Sequence, residues 1–125
     1  MQSSNLSNNT MDQQESTRQK RVGRQLQRDL AEIIQLKGMN AYKGAMITVT
    51  SVRMTPDLAL AKVWISIFPS DRSLEVLEMV HHHGKIIRGE LGKRIAKQLR
   101  IVPDLIFQLD NSLDYVAHID QLLSQ

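Results

Sequence analysis

Two extended runs joined by a short turn restrict this chain more than any other feature. Ile47 to Met54 (ITVTSVRM) is dense in β-branched residues. Leu60 to Phe68 (LAKVWISIF) alternates, so Ala61, Val63, Ile65 and Ile67 share one face. The TPDLA between them carries a Pro-Asp turn signal and is too short for a crossover, so the two strands are expected to form an antiparallel hairpin. Leu105 to Leu109 (LIFQL) reads as a third strand, reached from the hairpin through helical segments. A strand reached by such a crossover runs parallel to its neighbour with a right-handed connection. The expected fold is therefore a small α+β domain, α-β-β-α-α-β, with a three-stranded mixed sheet and its helices on one face.

The helical segments carry an apolar face to cover that sheet and a cationic face turned elsewhere. From about Thr17 to Leu36, Val22, Leu26, Leu30, Ile33 and Ile34 recur at helical spacing, with Lys20, Arg21, Arg24 and Arg28 on the opposite side. Ser16 or Thr17 is the expected cap. Five basic residues and no acid lie between Arg18 and Arg28, a bias that a solvated face of mixed charge does not show; Asp29 and Glu32 restore the mixture further on. Gly38, Asn40 and Gly44 signal the turn that follows, with Gly38 as a C-cap.

After Pro69, Ser70 or Asp71 is expected to cap a second helix with Leu74, Leu77 and Val80 inward and Glu75 and Glu78 outward. Gly84 interrupts it after His81, His82 and His83, which predicts a kinked helix pair at His82, His83 and Gly84. From Gly84 to Pro103 (GKIIRGELGKRIAKQLRIVP), Ile87, Leu91, Ile95 and Leu99 fall on one side of a third helix, which Pro103 stops. Lys93, Lys97 and Arg100 fall on another. Lys85, Arg88, Lys93, Arg94, Lys97 and Arg100 face a single acid in this stretch, Glu90. A polyphosphate backbone is the partner such a surface suits.

The totals agree with one domain. The 125 residues suit a single core, and aromatics at 4% leave Ile, Leu, Val and Met to fill it. Cysteine is absent, which removes disulfides, thiolate metal sites and cysteine nucleophiles and fits a reducing cytosol. Apolar runs are far shorter than the roughly 20 residues that cross a bilayer, and the polar N-terminus resembles no signal peptide. A soluble, cytoplasmic protein is expected. Residues 1–15, rich in Ser, Asn and Gln, read as a disordered tail, and 16–125 as the domain. Asp110 to Leu123 reads as a closing turn and short helix; Asp104, Asp110, Asp114 and Asp120, with no lysine or arginine after Arg100, turn that end away from phosphate.

Several motifs resolve against catalysis or metal binding. Gly89-Glu90-Leu91-Gly92 matches the G-x-x-G loop of nucleic-acid clamps, but it lies inside a helical period with Leu91 on the buried face. Three adjacent histidines on a helix diverge by about 100° each, so they do not converge on one ion, and His118 stands apart. Protonated histidines near phosphate would instead strengthen binding at lower pH. The chain contains no G-x-S-x-G, no Walker loop and no carboxylate pair at meaningful spacing. No enzyme, cofactor, metal or small-molecule substrate is expected. Trp64, on the second strand's other face with Lys62 and Ser66, is either a stacking platform for a base or a side chain covered by the tail or a neighbour.

The element order is that of the K-homology domain of the second type, and several strings are similar to one family within it, ribosome-binding factor A. They are RVGRQLQRDLAEII, ITVTSVRMTPDLALAKVWIS, IIRGELGKRIAKQLRIVPDLIFQLDNS and the ending HIDQLL, which span about Arg18 to Leu123. The resemblance implies a factor of ribosome biogenesis that binds immature small (30S) subunits and 16S rRNA, and a monomer is expected. It also implies help in late maturation and 5′-end processing, notably in the cold. The family usually places Ala-x-Gly at the helix kink, where this chain has His82, His83 and Gly84. A generic single-stranded RNA-binding domain and a protein-interaction module are the alternatives to that reading.

Overall fold

The structure, a computed structural model, describes residues 14–37 and 44–110. Most of the expected tail, the turn at Gly38 and Asn40, and the expected closing helix lie outside the described residues. The elements follow the order read from the sequence. They are helix α1 (Thr17–Leu36), strands β1 (Met46–Met54) and β2 (Leu60–Phe68), helices α2 (Ser73–His82) and α3 (Gly84–Ile95), and strand β3 (Asp104–Leu109).

Helix α1 starts at a capping box. Ser16 Oγ accepts from the Gln19 amide at 3.0 Å and Gln19 Oε1 accepts from the Ser16 amide at 2.8 Å, satisfying two donors that the first turn leaves without partners. The same residues bind the helix to the end of β1. Gln19 Nε2 donates to the Met54 carbonyl at 2.9 Å, and the Met54 amide donates to the Glu15 carboxylate at 2.7 Å. Further along, Gln27 Nε2 donates to the Val49 and Thr50 carbonyls, both at 3.2 Å. Gly23 lies between these two ties, where helix and strand approach so closely that a Cβ would sit 2.8 Å from the Val52 carbonyl oxygen.

The sheet order is β1-β2-β3, with β1 antiparallel and β3 parallel to the central β2. Ile47 faces Ile67 and Val49 faces Ile65, but the register then shifts so that Ser51 faces Trp64 and Arg53 faces Lys62. Thr50 is the extra residue of this bulge, and its hydroxyl donates to the Trp64 carbonyl at 3.1 Å. The bulge has a direct packing consequence. Strict alternation from Ile47 would put Ser51 and Arg53 inside, whereas the extra residue returns Val52 and Met54 to the core side.

One aliphatic core lies between the sheet and the helices. Leu26, Leu30, Ile33 and Ile34 of α1, Val76 and Val80 of α2, and Ile87, Leu91 and Ile95 of α3 are buried against Ala61, Val63, Ile65 and Phe107 of the sheet. At roughly 25 cal/mol per Å² of apolar surface removed from water, burial of this kind is the main force holding the helices to the sheet.

Two expectations are corrected. Neither Ser70 nor Asp71 caps α2; a 3₁₀ turn occupies Ser70–Arg72 and the α-helix begins at Ser73 with no side-chain cap. That tighter turn changes the helical phase. Leu74 therefore points to solvent, 77% exposed, and Val76, Met79 and Val80 face the core with Leu77 half-buried. The third helix ends at Ile95 rather than running to Pro103. The Gln98 and Leu99 amides both donate to the Ile95 carbonyl, at 2.8 and 3.0 Å, and buried Leu99 anchors the turn. The chain needs the residues after Ile95 to descend from the helix layer to the sheet, where the Asp104 amide donates to the Ala59 carbonyl at 2.9 Å. Lys97 and Arg100 consequently lie beyond the helix.

Candidate nucleic-acid interface

Helices α1 and α3 lie against each other, and their contact is closed by charge. Asp29 on α1 is buried, and its two carboxylate oxygens accept from Gln25 Nε2 at 3.1 Å and pair with Arg94 of α3 at 3.5 Å. Arg94 also bonds Glu32, whose accepted hydrogen bond raises the guanidinium pKa above its ordinary value. One turn away, Glu90 of α3 lies between Lys37 at 3.6 Å and Lys93 at 3.5 Å. Those two ammonium groups, Lys37 foremost, hold the Glu90 carboxyl below the usual carboxylate range.

These pairs also give the helix directions. Lys37, at the end of α1, meets Glu90, while Asp29 and Glu32 meet Arg94 further along α3, so the helices run antiparallel past each other. The chain leaving α3 therefore runs toward the half of α1 that carries the arginines. Lys20, Arg21, Arg24 and Arg28 are all exposed on α1, opposite its buried stripe, and none has an ion-pair partner among the described residues. Arg28 only donates to the neighbouring Gln25 side chain, at 2.9 Å. Lys97 and Arg100 are likewise exposed and unpaired among the described residues, and Lys93 is 77% exposed despite its contact with Glu90. Both helices cover the same side of the sheet, and these exposed groups lie on the α1 and α3 segments rather than on the sheet.

Three of the ten candidate cations sit elsewhere. Arg94 is the wedge between α1 and α3 just described. Arg88 turns to the opposite flank, donating to the Pro103 and Val102 carbonyls at 3.0 and 2.7 Å and pairing with Asp104 at 3.5 Å, so it ties α3 to the start of β3. Lys85 is exposed on that same flank, beside Arg88, Gly89, Gly92 and Val102. Sequence spacing puts all six cations of this stretch on one helix, but only tertiary contacts separate those that bind the protein itself from those left for a partner.

The kink lies where expected, between α2 and α3, but glycine is not what makes it. His83 carries the break, at φ −98° and ψ 13°, and a Cβ at Gly84 would meet nothing within 4 Å. His81 Nε2 donates to the Phe107 carbonyl at 3.1 Å and His83 Nδ1 to the Met79 carbonyl at 2.9 Å, so each ring has a structural bond of its own. His82 is exposed, with its ring edge-on to His83 at 5.8 Å.

Gly89 and Gly92 lie within α3, and Leu91 between them is fully buried. A clamp loop would present this segment to a ligand. A helix instead gains from losing the glycine, because a Cβ at Gly89 meets nothing within 4 Å. Gly89→Ala is expected to stabilise the protein by about 0.5–1 kcal/mol, raising the urea midpoint, with RNA affinity unchanged. A large loss of affinity would restore the clamp reading.

Two features escaped the sequence reading. Asp29 was visible only as a residue restoring mixed charge, not as the buried partner of Arg94. Arg53 passed unnoticed because the bulge at Thr50, which sends it to the outer face, leaves no distinct signal in ITVTSVRM.

The order α-β-β-α-α-β, with a mixed three-stranded sheet and its helices on one side, defines a K-homology-like domain of the second type. The ribosome-binding factor A family model matches residues 18–123. The chain belongs to the ribosome-binding factor A family. It is 39% identical over 111 residues to the ribosome-binding factor A of Cytophaga hutchinsonii, covering 89% of this chain and 84% of that one. Identity to the Flavobacterium johnsoniae protein is 40% over 111 residues, 88% of this chain and 85% of the relative. The fold is similar to the crystal structure of ribosome-binding factor A from Thermus thermophilus, with a TM-score of 0.60 at 25% identity over 73% of this chain and 94% of that one. A Thermus thermophilus ribosome-binding factor A model fitted into a cryo-electron-microscopy map of its 30S complex has a TM-score of 0.55 at 24% identity over 70% of this chain and 90% of that one. Among the described residues no helix is long and apolar enough to cross a membrane.

Proposed function

We propose that this chain is a non-enzymatic, cytoplasmic assembly factor that binds immature 30S subunits through 16S rRNA and aids late maturation, including 5′-end processing. The observation that carries this reading is the row Lys20, Arg21, Arg24 and Arg28, four exposed cations with no carboxylate partner among the described residues. A solvated face that served only solubility would mix both signs, as the second half of α1 does with Glu32. The complex named for the Thermus relative supports the same partner.

Phosphate contacts of this kind give affinity without reading bases, and the shape of the folded RNA supplies selectivity. The factor acts by differential binding. It favours the immature RNA conformation that completes its site, shifts the population toward it, and leaves when maturation removes that site. About four phosphate contacts from α1 predict that affinity for immature small subunits falls roughly 100-fold between about 50 and about 200 mM salt. Binding measured across that range tests this, and an affinity insensitive to salt would refute the phosphate contacts.

A further inference from the structure

The face of the sheet turned away from the helices carries a second cluster that the helical site does not use. Across β1 and β2, Arg53 sits directly opposite Lys62, and Trp64 is the next residue of β2 on the same face. Like charges directly opposite each other on paired strands repel, which destabilises the pair. No carboxylate among the described residues pairs with either one. Arg53 Nη2 is also buried without a hydrogen-bond partner, a costly state for a guanidinium nitrogen.

A cavity of about 490 Å³ opens at this point, bordered by Arg53, Lys62 and Trp64 of the sheet, Thr55 of the hairpin turn, and Gln14 and Gln19 at the start of α1, with no acidic side chain among the described residues lining it. Trp64 and Arg53 also border a second cavity of about 410 Å³, where Glu15 and Asp110 stand instead. The half-buried indole thus has a cationic side and an acidic side. An anion fits only the first.

We propose that this outer face is a subsite for one nucleotide of single-stranded RNA, its base stacked on Trp64 and its phosphate held by Arg53 and Lys62. The inference rests on the RNA-binding reading above and adds a base-contacting site to it, on the outer sheet face beside the first turn of α1. A phosphate relieves the Arg53–Lys62 repulsion. Stacking on an aromatic ring is tolerant of base identity, so the subsite selects unpaired RNA rather than a particular sequence. The acidic cavity disfavours phosphate on its own side of the indole. One RNA segment would lie along the helices and a second, unpaired one across the sheet.

Trp64 is the sole tryptophan of the chain, so its fluorescence reports on stacking directly. The test is titration of the full-length chain with a fluorescently labelled hexa-adenylate, following tryptophan emission and label anisotropy together. Emission is expected to be quenched as the oligonucleotide binds. Lys62→Glu, at an exposed position that leaves the fold undisturbed, should weaken that midpoint about tenfold or more, and Trp64→Ala should weaken the anisotropy midpoint similarly. An Arg24→Glu/Lys97→Glu variant should still show the quench, which separates this subsite from the helical face. Binding without quenching, or a midpoint indifferent to Lys62→Glu, overturns the subsite while leaving small-subunit binding in place. Quenching by a poly-glutamate peptide but not by hexa-adenylate also overturns it, and assigns the face to an acidic protein partner. A persistent quench in a protein that fails to bind small subunits would instead uphold the subsite and refute the function proposed above.

Discussion

Replacing Arg24 and Lys97 together by glutamate is expected to lower affinity for immature small subunits about 100-fold near physiological salt while leaving the fold intact. Both side chains are exposed and have no ion-pair partner among the described residues, so their loss removes no internal contact. Each reversal deletes one phosphate contact and sets a carboxylate against the RNA backbone. The slope of log affinity against log salt should become shallower by about 2. Equilibrium binding to purified immature subunits over a salt series measures both quantities. Arg94→Gln provides the contrast, because that guanidinium pairs Asp29 and Glu32; the variant should lower the urea midpoint and leave the salt slope where it was. An unchanged affinity in the double variant would remove the helical face from the interface.

Gly23→Val should lower stability by about 3 kcal/mol, with a fall in melting temperature of ten degrees or more, on the order expected for overpacking in a domain this size. Valine's Cβ alone would lie 2.8 Å from the Val52 carbonyl oxygen, which is rigid strand backbone, so α1 must lift away from β1. Lifting it stretches the bonds from Gln19 to Met54 and from Gln27 to Val49 and Thr50. Gly23→Ala offers a graded comparison, since the same clash is partly offset by alanine's helix preference of about 1 kcal/mol. Thermal and urea unfolding of the three proteins give the series. A valine variant within about 1 kcal/mol of the parent would mean that the helix and strand are not held so closely.

The hairpin and the parallel third strand were legible because alternation and connection length are local properties of the chain. The apolar stripe of α1 was legible for the same reason: about 3.6 residues per turn places Leu26, Leu30, Ile33 and Ile34 on one side whatever packs against them. The end of α3 was not. Pro103 excludes helix immediately before it, but the break at Ile95 depends on how far the chain must travel to reach β3, a distance that no local pattern encodes. The outward turn of Leu74 has the same kind of cause, since the 3₁₀ turn at Ser70–Arg72 sets the phase of α2.

The candidate site divides along the same line. That α1 carries a one-signed row opposite its core follows from residue order alone, because both faces belong to a single helix. Which cations of the later segment remain available depends on the neighbours that folding supplies: Asp29 and Glu32 for Arg94, and the Val102 and Pro103 carbonyls for Arg88. The same holds for Arg53, which reaches the outer face beside Trp64 only because an unpaired Thr50 shifts the register. Sequence by itself determined the element order and the amphipathic face of α1, which are written in spacings of a few residues, while the family is carried by longer similar strings. Tertiary structure alone decided which charges are engaged by the protein's own carboxylates and carbonyls, because those partners are distant in the chain and meet only when the helices settle on the sheet.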